Sequence, residues 1–296
     1  MVGSAIERHL ISKGFTNIHG RPHSVLNLTD IKETELEFTH AKPDYVFLAA
    51  AKVGGIYANS TYPADFITTN LAIQSNVINT AFKHKVKKLL FLGSSCIYPK
   101  FAKQPIKESE LLSGRLEKTN EAYAIAKIAG IKMCQAYRAQ HGANFVSVMP
   151  TNLYGTGDTY HEMNSHVIPS LIMKFDKAKK EDKSKVILWG TGAARREFLN
   201  VDDLASACVL VMEQYDENEI INIGCGTDVK ISELAKKVAK VVGYKGKIDF
   251  DFDESKDGTP RKLLDVSKLF KYGWKPQIEL TDGLASAYQD YLKCSK

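Results

Sequence analysis

Along this chain, short apolar runs alternate with longer stretches in which apolar residues recur every three or four positions. Asn17–Gly20, Tyr45–Ala50, Lys88–Ser94, Phe145–Pro150 and Val186–Trp189 read as strands, and the periodic stretches between them read as helices. Strands separated by helices predict a parallel sheet with crossover helices on its faces. The segment Lys87-Lys88-Leu89-Leu90-Phe91-Leu92-Gly93-Ser94 is the clearest case: its apolar residues are consecutive, as burial on both faces requires. Ligands of such sheets bind beyond the carboxyl ends of the strands, which puts candidate chemistry just after Leu92. The expected fold is therefore α/β, a Rossmann-type doubly wound sheet.

Beyond residue 155 the alternation loosens, with Pro169, a charged stretch over Lys177–Lys185 and short strands at Ile220–Ile223 and Lys247–Phe252. Residues 1–155 are read as a nucleotide-binding domain and 156–296 as mainly a smaller α+β lobe for substrate, with the chain crossing between them near 185–215. The last helical pattern, Leu280–Leu292, is expected to pack back on the body.

Composition narrows the class. Hydrophobic residues at 44% and charged residues at 25% are those of an ordinary globular protein, which removes disordered and fibrous readings. No apolar run approaches the roughly 20 residues of a membrane helix, so a cytoplasmic protein without membrane contact is expected. The net charge of +6 raises nucleic acid as a partner, but the densest basic stretch, Lys174–Lys185, also holds Asp176, Glu181 and Asp182. A solvated helix end accounts for it, and no nucleic acid is expected. The 5 cysteines are odd in number and scattered, with no paired spacing; they indicate a reducing compartment and no metal.

Of the 13 tyrosines, Tyr123 alone has lysine four residues later. On a helix that spacing stacks Lys127 one turn from Tyr123, a pairing that serves a proton-donating phenol in ketone reduction. A cation at that distance is expected to lower the tyrosine pKa from its usual value of about 10. The pair alone is often only a helix-surface contact; Thr119-Asn120 as a helix-start signal, and Ser94 closing the buried strand upstream, favour the catalytic reading.

Leu92-Gly93-Ser94-Ser95-Cys96-Ile97-Tyr98-Pro99 and Tyr123-Ala124-Ile125-Ala126-Lys127 resemble the catalytic segments of the GDP-L-fucose synthase family, extended short-chain dehydrogenases/reductases. Segments along nearly the whole chain are similar to the same family: Ala49–Ile56, Pro150–Gly155, Asn164–Pro169 and Asp257–Asp265. The resemblance implies an NADPH/NADP cofactor and conversion of GDP-4-keto-6-deoxy-D-mannose to GDP-L-fucose, by epimerisation at two carbons followed by ketone reduction. By matching motifs it implies Ser94, Tyr123 and Lys127 for reduction, Cys96 as epimerisation base and His166 as acid. It implies cofactor contacts at Gly3, Arg21, Leu48, Ala49, Ala51, Asn152 and Leu153, shared with Tyr123, Lys127 and His166. Lys174, Trp189, Arg196 and Lys262 are implied for substrate, the last two for its diphosphate, and a homodimer is implied through helices of the NADP-binding domain.

Two other readings share these residues. An NAD-dependent sugar-nucleotide 4-epimerase or 4,6-dehydratase would use Tyr123 and Lys127 without needing Cys96 and His166. A noncatalytic GDP-sugar-binding protein would keep the lobe alone.

One departure bears on the cofactor. A dinucleotide-binding domain opens with a strand and a glycine-rich turn, yet Met1-Val2-Gly3-Ser4-Ala5-Ile6 resembles the part just after that turn, and Gly3 matches only its last glycine. Met1 is expected to be an internal methionine of a longer protein, and the missing first strand is expected to leave a gap between two strands of the sheet.

Overall fold

The computed structural model describes residues 1–161 and 165–294, so Asn164 of the motif above lies outside the described residues. Lys88–Leu92 is buried along its whole length and lies inside a four-stranded parallel sheet in the order Tyr45–Leu48, Lys88–Leu92, Phe145–Pro150, Ile221–Ile223. Its side chains divide by alternation. Leu89 and Phe91 join one core cluster with Ile73, Val77, Ile128 and Ile131, from the helices Pro63–Lys83 and Glu121–His141. Leu90 and Leu92 join another with Ala5, Ile6, Leu204 and Ala205, from Val2–Ser12 and Val201–Gln214. Both faces are thus covered, which is why the strand carries no polar alternation.

The helix Glu121–His141 lies so close to the sheet that a Cβ at Gly130 would overlap the Phe91 ring. Gly130→Ala is expected to destabilise the protein by about 1–3 kcal/mol through overpacking. A urea midpoint equal to that of the parent would show that the helix is free to shift away.

A third cluster gathers Ile172 and Phe175 of Val167–Lys180, Leu234 and Val238 of Ile231–Val242, and Leu284 and Ala287 of Leu280–Cys294. Beside them Lys185–Leu188 pairs in parallel with Lys247–Phe250. Between these elements the chain returns toward the main sheet: Phe198–Asn200 pairs with Asn152–Tyr154 in a separate two-stranded sheet, and Val201–Gln214 packs on Val2–Ser12. The short segments Arg195–Arg196 and Arg261–Lys262 pair beside Val229–Lys230, bringing three distant parts of the chain to one place.

Three expectations are corrected. Asn17–Gly20 is not a strand; it makes no ladder, and Asn17 and His19 bond to each other through their side chains at 3.1 Å. A short polar stretch without a neighbouring strand has nothing to hold it extended. The sheet has no internal gap: Tyr45–Leu48 is simply its edge, with Tyr45 55% exposed. Ile221–Ile223, read as part of the lobe, is the fourth strand of the main sheet.

Candidate active site

The amide of Gly93 donates to Val148 at 2.8 Å, extending the ladder one residue past Leu92 before the chain turns. Ser94 then turns it: its backbone is extended and its Oγ accepts from the Cys96 amide at 3.2 Å, opening the short 3-10 turn Ser95–Ile97. Cys96 is left half-buried at the end of the strand. Two donors converge on its Sγ, Asn120 Nδ2 at 3.2 Å and Lys262 Nζ at 3.6 Å. Sequence reading gave Lys262 to a diphosphate; here its ammonium reaches the thiol.

Tyr123 and Lys127 lie one turn apart on Glu121–His141, as their spacing required. Lys127 is buried and donates to the Leu92 carbonyl at 2.7 Å, with Nζ 4.8 Å from the centre of the Phe91 ring and 5.9 Å from that of Tyr123. Burial lowers its pKa to about 7. The Tyr123 phenol moves the other way. Burial raises its pKa, the charge of a Cys96 thiolate raises it further, and the hydrogen bond with Ser94 only partly opposes them. The expected lowering by Lys127 is therefore not found: the cation is turned to a carbonyl and is itself weakened by desolvation. At neutral pH Tyr123 holds its proton.

A lysine whose folded pKa lies below its unfolded value gives stability that is complete above the unfolded pKa and lost as pH falls toward the folded one. For Lys127 that window runs from about 10.5 down to about 7. Urea midpoints are expected to rise with pH across it and to rise less in Lys127→Met; identical slopes would contradict the burial of the charge.

His166 immediately precedes Val167–Lys180, with its backbone extended. The residue is open to solvent, yet desolvation by surrounding protein lowers its pKa and favours the neutral ring. Among the described residues no hydrogen bond joins it to Cys96.

In the lobe, Lys174 Nζ lies 4.7 Å from the centre of the Trp189 ring, which is 53% exposed, and Lys256 lies over the same ring at 5.9 Å. An exposed indole backed by cations is a stacking surface for a planar group. Burial lowers the Lys174 pKa, opposed by the charge of Asp251. Arg196 is held by two main-chain carbonyls, of Arg195 and Asp257, each at 2.8 Å. Among the described residues it makes no ion pair; desolvation lowers its pKa, opposed by the charges of Cys96, Asp257 and Glu117.

The remaining implied positions fall into two groups. Gly3 packs toward Ala49, whose Cβ would lie 3.9 Å from a Cβ on the glycine. Leu48 is buried at the end of its strand, Ala51 is half-buried beyond it, and the Lys52 amide that follows donates to Asn70 at 3.0 Å. Leu153 packs against the second cluster, and Asn152 gives its amide to the Glu197 carbonyl at 2.8 Å. Arg21, by contrast, lies on the exposed segment that forms no strand and pairs with Glu37 at 3.4 Å.

Glu197 was not singled out from the sequence. It is fully buried and accepts from the amides of Gly226 at 2.7 Å and Leu264 at 3.0 Å, while its own amide donates to the Lys262 carbonyl at 3.2 Å. Burial raises its pKa and these amides oppose the rise. Its place between Arg196 and Phe198 in an otherwise strand-like segment was the available signal.

Such a sheet, with a serine, a tyrosine and a lysine gathered at the end of one strand, is the arrangement expected of a dehydrogenase-type enzyme. The profile of the NAD dependent epimerase/dehydratase family matches residues 1–224, and the chain belongs to that family. It is 60% identical over 293 residues to a putative GDP-L-fucose synthase 2 of Arabidopsis thaliana, covering 99% of this chain and 89% of the relative. It is 54% identical over 302 residues to the GDP-L-fucose synthase of Escherichia coli strain K12, covering 99% and 94%. Among solved structures it is similar to a GDP-6-OMe-4-keto-L-xylo-heptose reductase from C. jejuni, at 36% identity, TM-score 0.93 and coverage of 100% and 95%. A GDP-mannoheptose C4 reductase from Campylobacter jejuni with NADP bound is similar at 38% identity, TM-score 0.90 and coverage of 98% and 95%.

Proposed function

We propose that this chain converts GDP-4-keto-6-deoxy-D-mannose to GDP-L-fucose, using NADPH. The observation that carries this reading is the juxtaposition of two kinds of chemistry at one strand end. Ser94 and Tyr123 form a reducing pair, and Cys96 lies beside them with Asn120 and Lys262 on its sulfur. A plain reductase or 4-epimerase has no use for a thiol so supplied with donors. Inversion at carbons flanking a ketone does.

The ketone acidifies the hydrogens on its two neighbouring carbons. Cys96 as thiolate takes a proton from one of these carbons, and the electron pair of the broken C–H bond moves to the ketone oxygen. Ser94 hydrogen-bonds that oxygen and holds its charge. His166, neutral at rest, takes a proton from solvent and as imidazolium delivers it to the opposite ring face, the carbonyl reforms, and Cys96 returns its proton to solvent before the second carbon is inverted. In reduction, Tyr123 gives its proton to the oxygen as the carbonyl becomes an alcohol. Its raised pKa suits a group that must stay protonated until then.

The residues present fit the nicotinamide–ribose end of the cofactor. Lys127 is buried one turn from Tyr123 and, among the described residues, donates only to Leu92, which leaves hydrogens for ribose hydroxyls. When bound, the cofactor supplies hydride to the ketone carbon. Gly3 against Ala49 is the position for close approach at the start of the first helix, and Arg21 is assigned to the 2′-phosphate, for which it would exchange Glu37. Trp189 with Lys174 receives the base, and Arg196 the diphosphate.

The nucleotide-binding domain over 1–155 and a mainly substrate-binding lobe over 156–296 remain the proposed division. A cytoplasmic homodimer joined through helices of the first domain completes the proposal, supported by 5 free cysteines and by Ile125 standing 44% exposed on Glu121–His141. The test is to supply the keto sugar nucleotide with NADPH, follow cofactor oxidation and identify the product. Formation of GDP-L-fucose is expected; a keto substrate returned unchanged while GDP still binds would favour the noncatalytic reading.

A further inference from the structure

Asn120 occupies the N-cap position of Glu121–His141, where asparagine is among the preferred residues because its side chain can accept from the first free amides of the helix. It does not do so here: no side-chain cap bond is made. The amide is turned instead onto Cys96, donating from Nδ2 to Sγ at 3.2 Å. A cap is worth about 0.5–2 kcal/mol, and it is forgone. The other half of the amide is also unspent, because Oδ1 is buried with no hydrogen-bond partner. Leaving a buried carbonyl oxygen unpaired costs about 1–3 kcal/mol. An acceptor that neither caps the helix nor finds another partner, on a side chain whose donor is given to the thiol, indicates a group arranged for a ligand rather than for the helix.

We propose that Asn120 is a further residue of the proton-transfer site, donating through Nδ2 to the Cys96 thiolate and accepting through Oδ1 from a hydroxyl of the bound sugar. The thiolate arm stands on this geometry alone; the sugar arm rests on the function proposed above. A thiolate has acceptor capacity and no proton to give, so a neutral amide donor on one side and the Lys262 ammonium on the other hold it without neutralising it. An amide also offers a donor and an acceptor a short distance apart, and can therefore join the base to the ring it acts on.

Aspartate and serine cap helices about as well as asparagine, but a carboxylate cannot donate to a thiolate. Asn120→Asp and Asn120→Ser are therefore the discriminating variants. Asn120→Ser is expected to keep the parent urea midpoint, whereas Asn120→Asp, which buries a carboxylate beside the sulfur, is expected to lower it while staying folded without urea. In Asn120→Asp, the rate of iodoacetamide labelling at the Cys96 peptide, read by mass spectrometry at pH 7, is expected to fall about tenfold, in line with a lost hydrogen bond to a charged group. With the keto sugar nucleotide in deuterium oxide, exchange of the ring hydrogens should slow in both variants and the KM of Asn120→Ser should rise.

A parent-like labelling profile in Asn120→Asp would overturn the thiolate arm. Parent-like exchange and KM in Asn120→Ser would overturn the sugar arm. Should the parent protein itself exchange no ring hydrogens, the proposed function fails, whereas the labelling result still decides the role of Asn120 at Cys96.

Discussion

Tyr123→Phe is expected to lower ketone reduction by roughly 10²–10⁴-fold, the range of a positioned general acid, while leaving ring-hydrogen exchange largely intact. The substitution removes one hydroxyl and little else. The ring of Tyr123 packs edge-on against Phe66, with centroids 6.3 Å apart, and phenylalanine keeps that contact. What is lost is the proton that burial and the Cys96 charge hold on the phenol. NADPH oxidation measured at 340 nm should collapse while hydrogens beside the ketone still exchange with deuterium oxide. Equal loss of both would mean that Tyr123 is needed to hold the enolate oxygen in epimerisation too, and that Ser94 alone cannot.

Cys96→Ser should give the complementary result. A serine hydroxyl is far less acidic than a thiol, which has a reference pKa of about 8.5, so the variant carries almost no usable base at neutral pH. Ring-hydrogen exchange is expected to fall by roughly 10²–10⁴-fold. Reduction of the unepimerised ketone should persist, because Ser94, Tyr123 and Lys127 are untouched, and the product should then be a 6-deoxy sugar nucleotide of unchanged configuration at C3 and C5. GDP-L-fucose formed at the parent rate would remove Cys96 from the mechanism. The two variants together separate the halves of the reaction.

Much of this was legible from local pattern. Phe145–Pro150 and Lys88–Leu92 could be read as strands because a strand covered on both faces needs no polar residues, and the Tyr123–Lys127 spacing needed only a helix to become a pair. What failed depended on neighbours. Asn17–Gly20 has modest strand character but no ladder partner, so its pattern had no consequence. Asn120 does mark the start of Glu121–His141, as its cap signal predicted, but only the position of Cys96 shows where its amide goes. Glu197 and Lys262 gain their roles through pairing of Arg195–Arg196 with Arg261–Lys262, segments far apart in the chain. The Tyr123 pKa went the wrong way for a similar reason: spacing gives the distance of a charge but not its burial, and burial dominates here.

The most direct test of the central claim, that one strand end houses both epimerisation and reduction, is to run the parent protein on the keto sugar nucleotide with NADPH in deuterium oxide and locate the label in the product. The account predicts GDP-L-fucose carrying deuterium at C3 and C5 and none from solvent on the C4 carbon. Reduced product without deuterium at C3 and C5 would contradict it, and would make the chain a ketone reductase whose thiol serves another purpose.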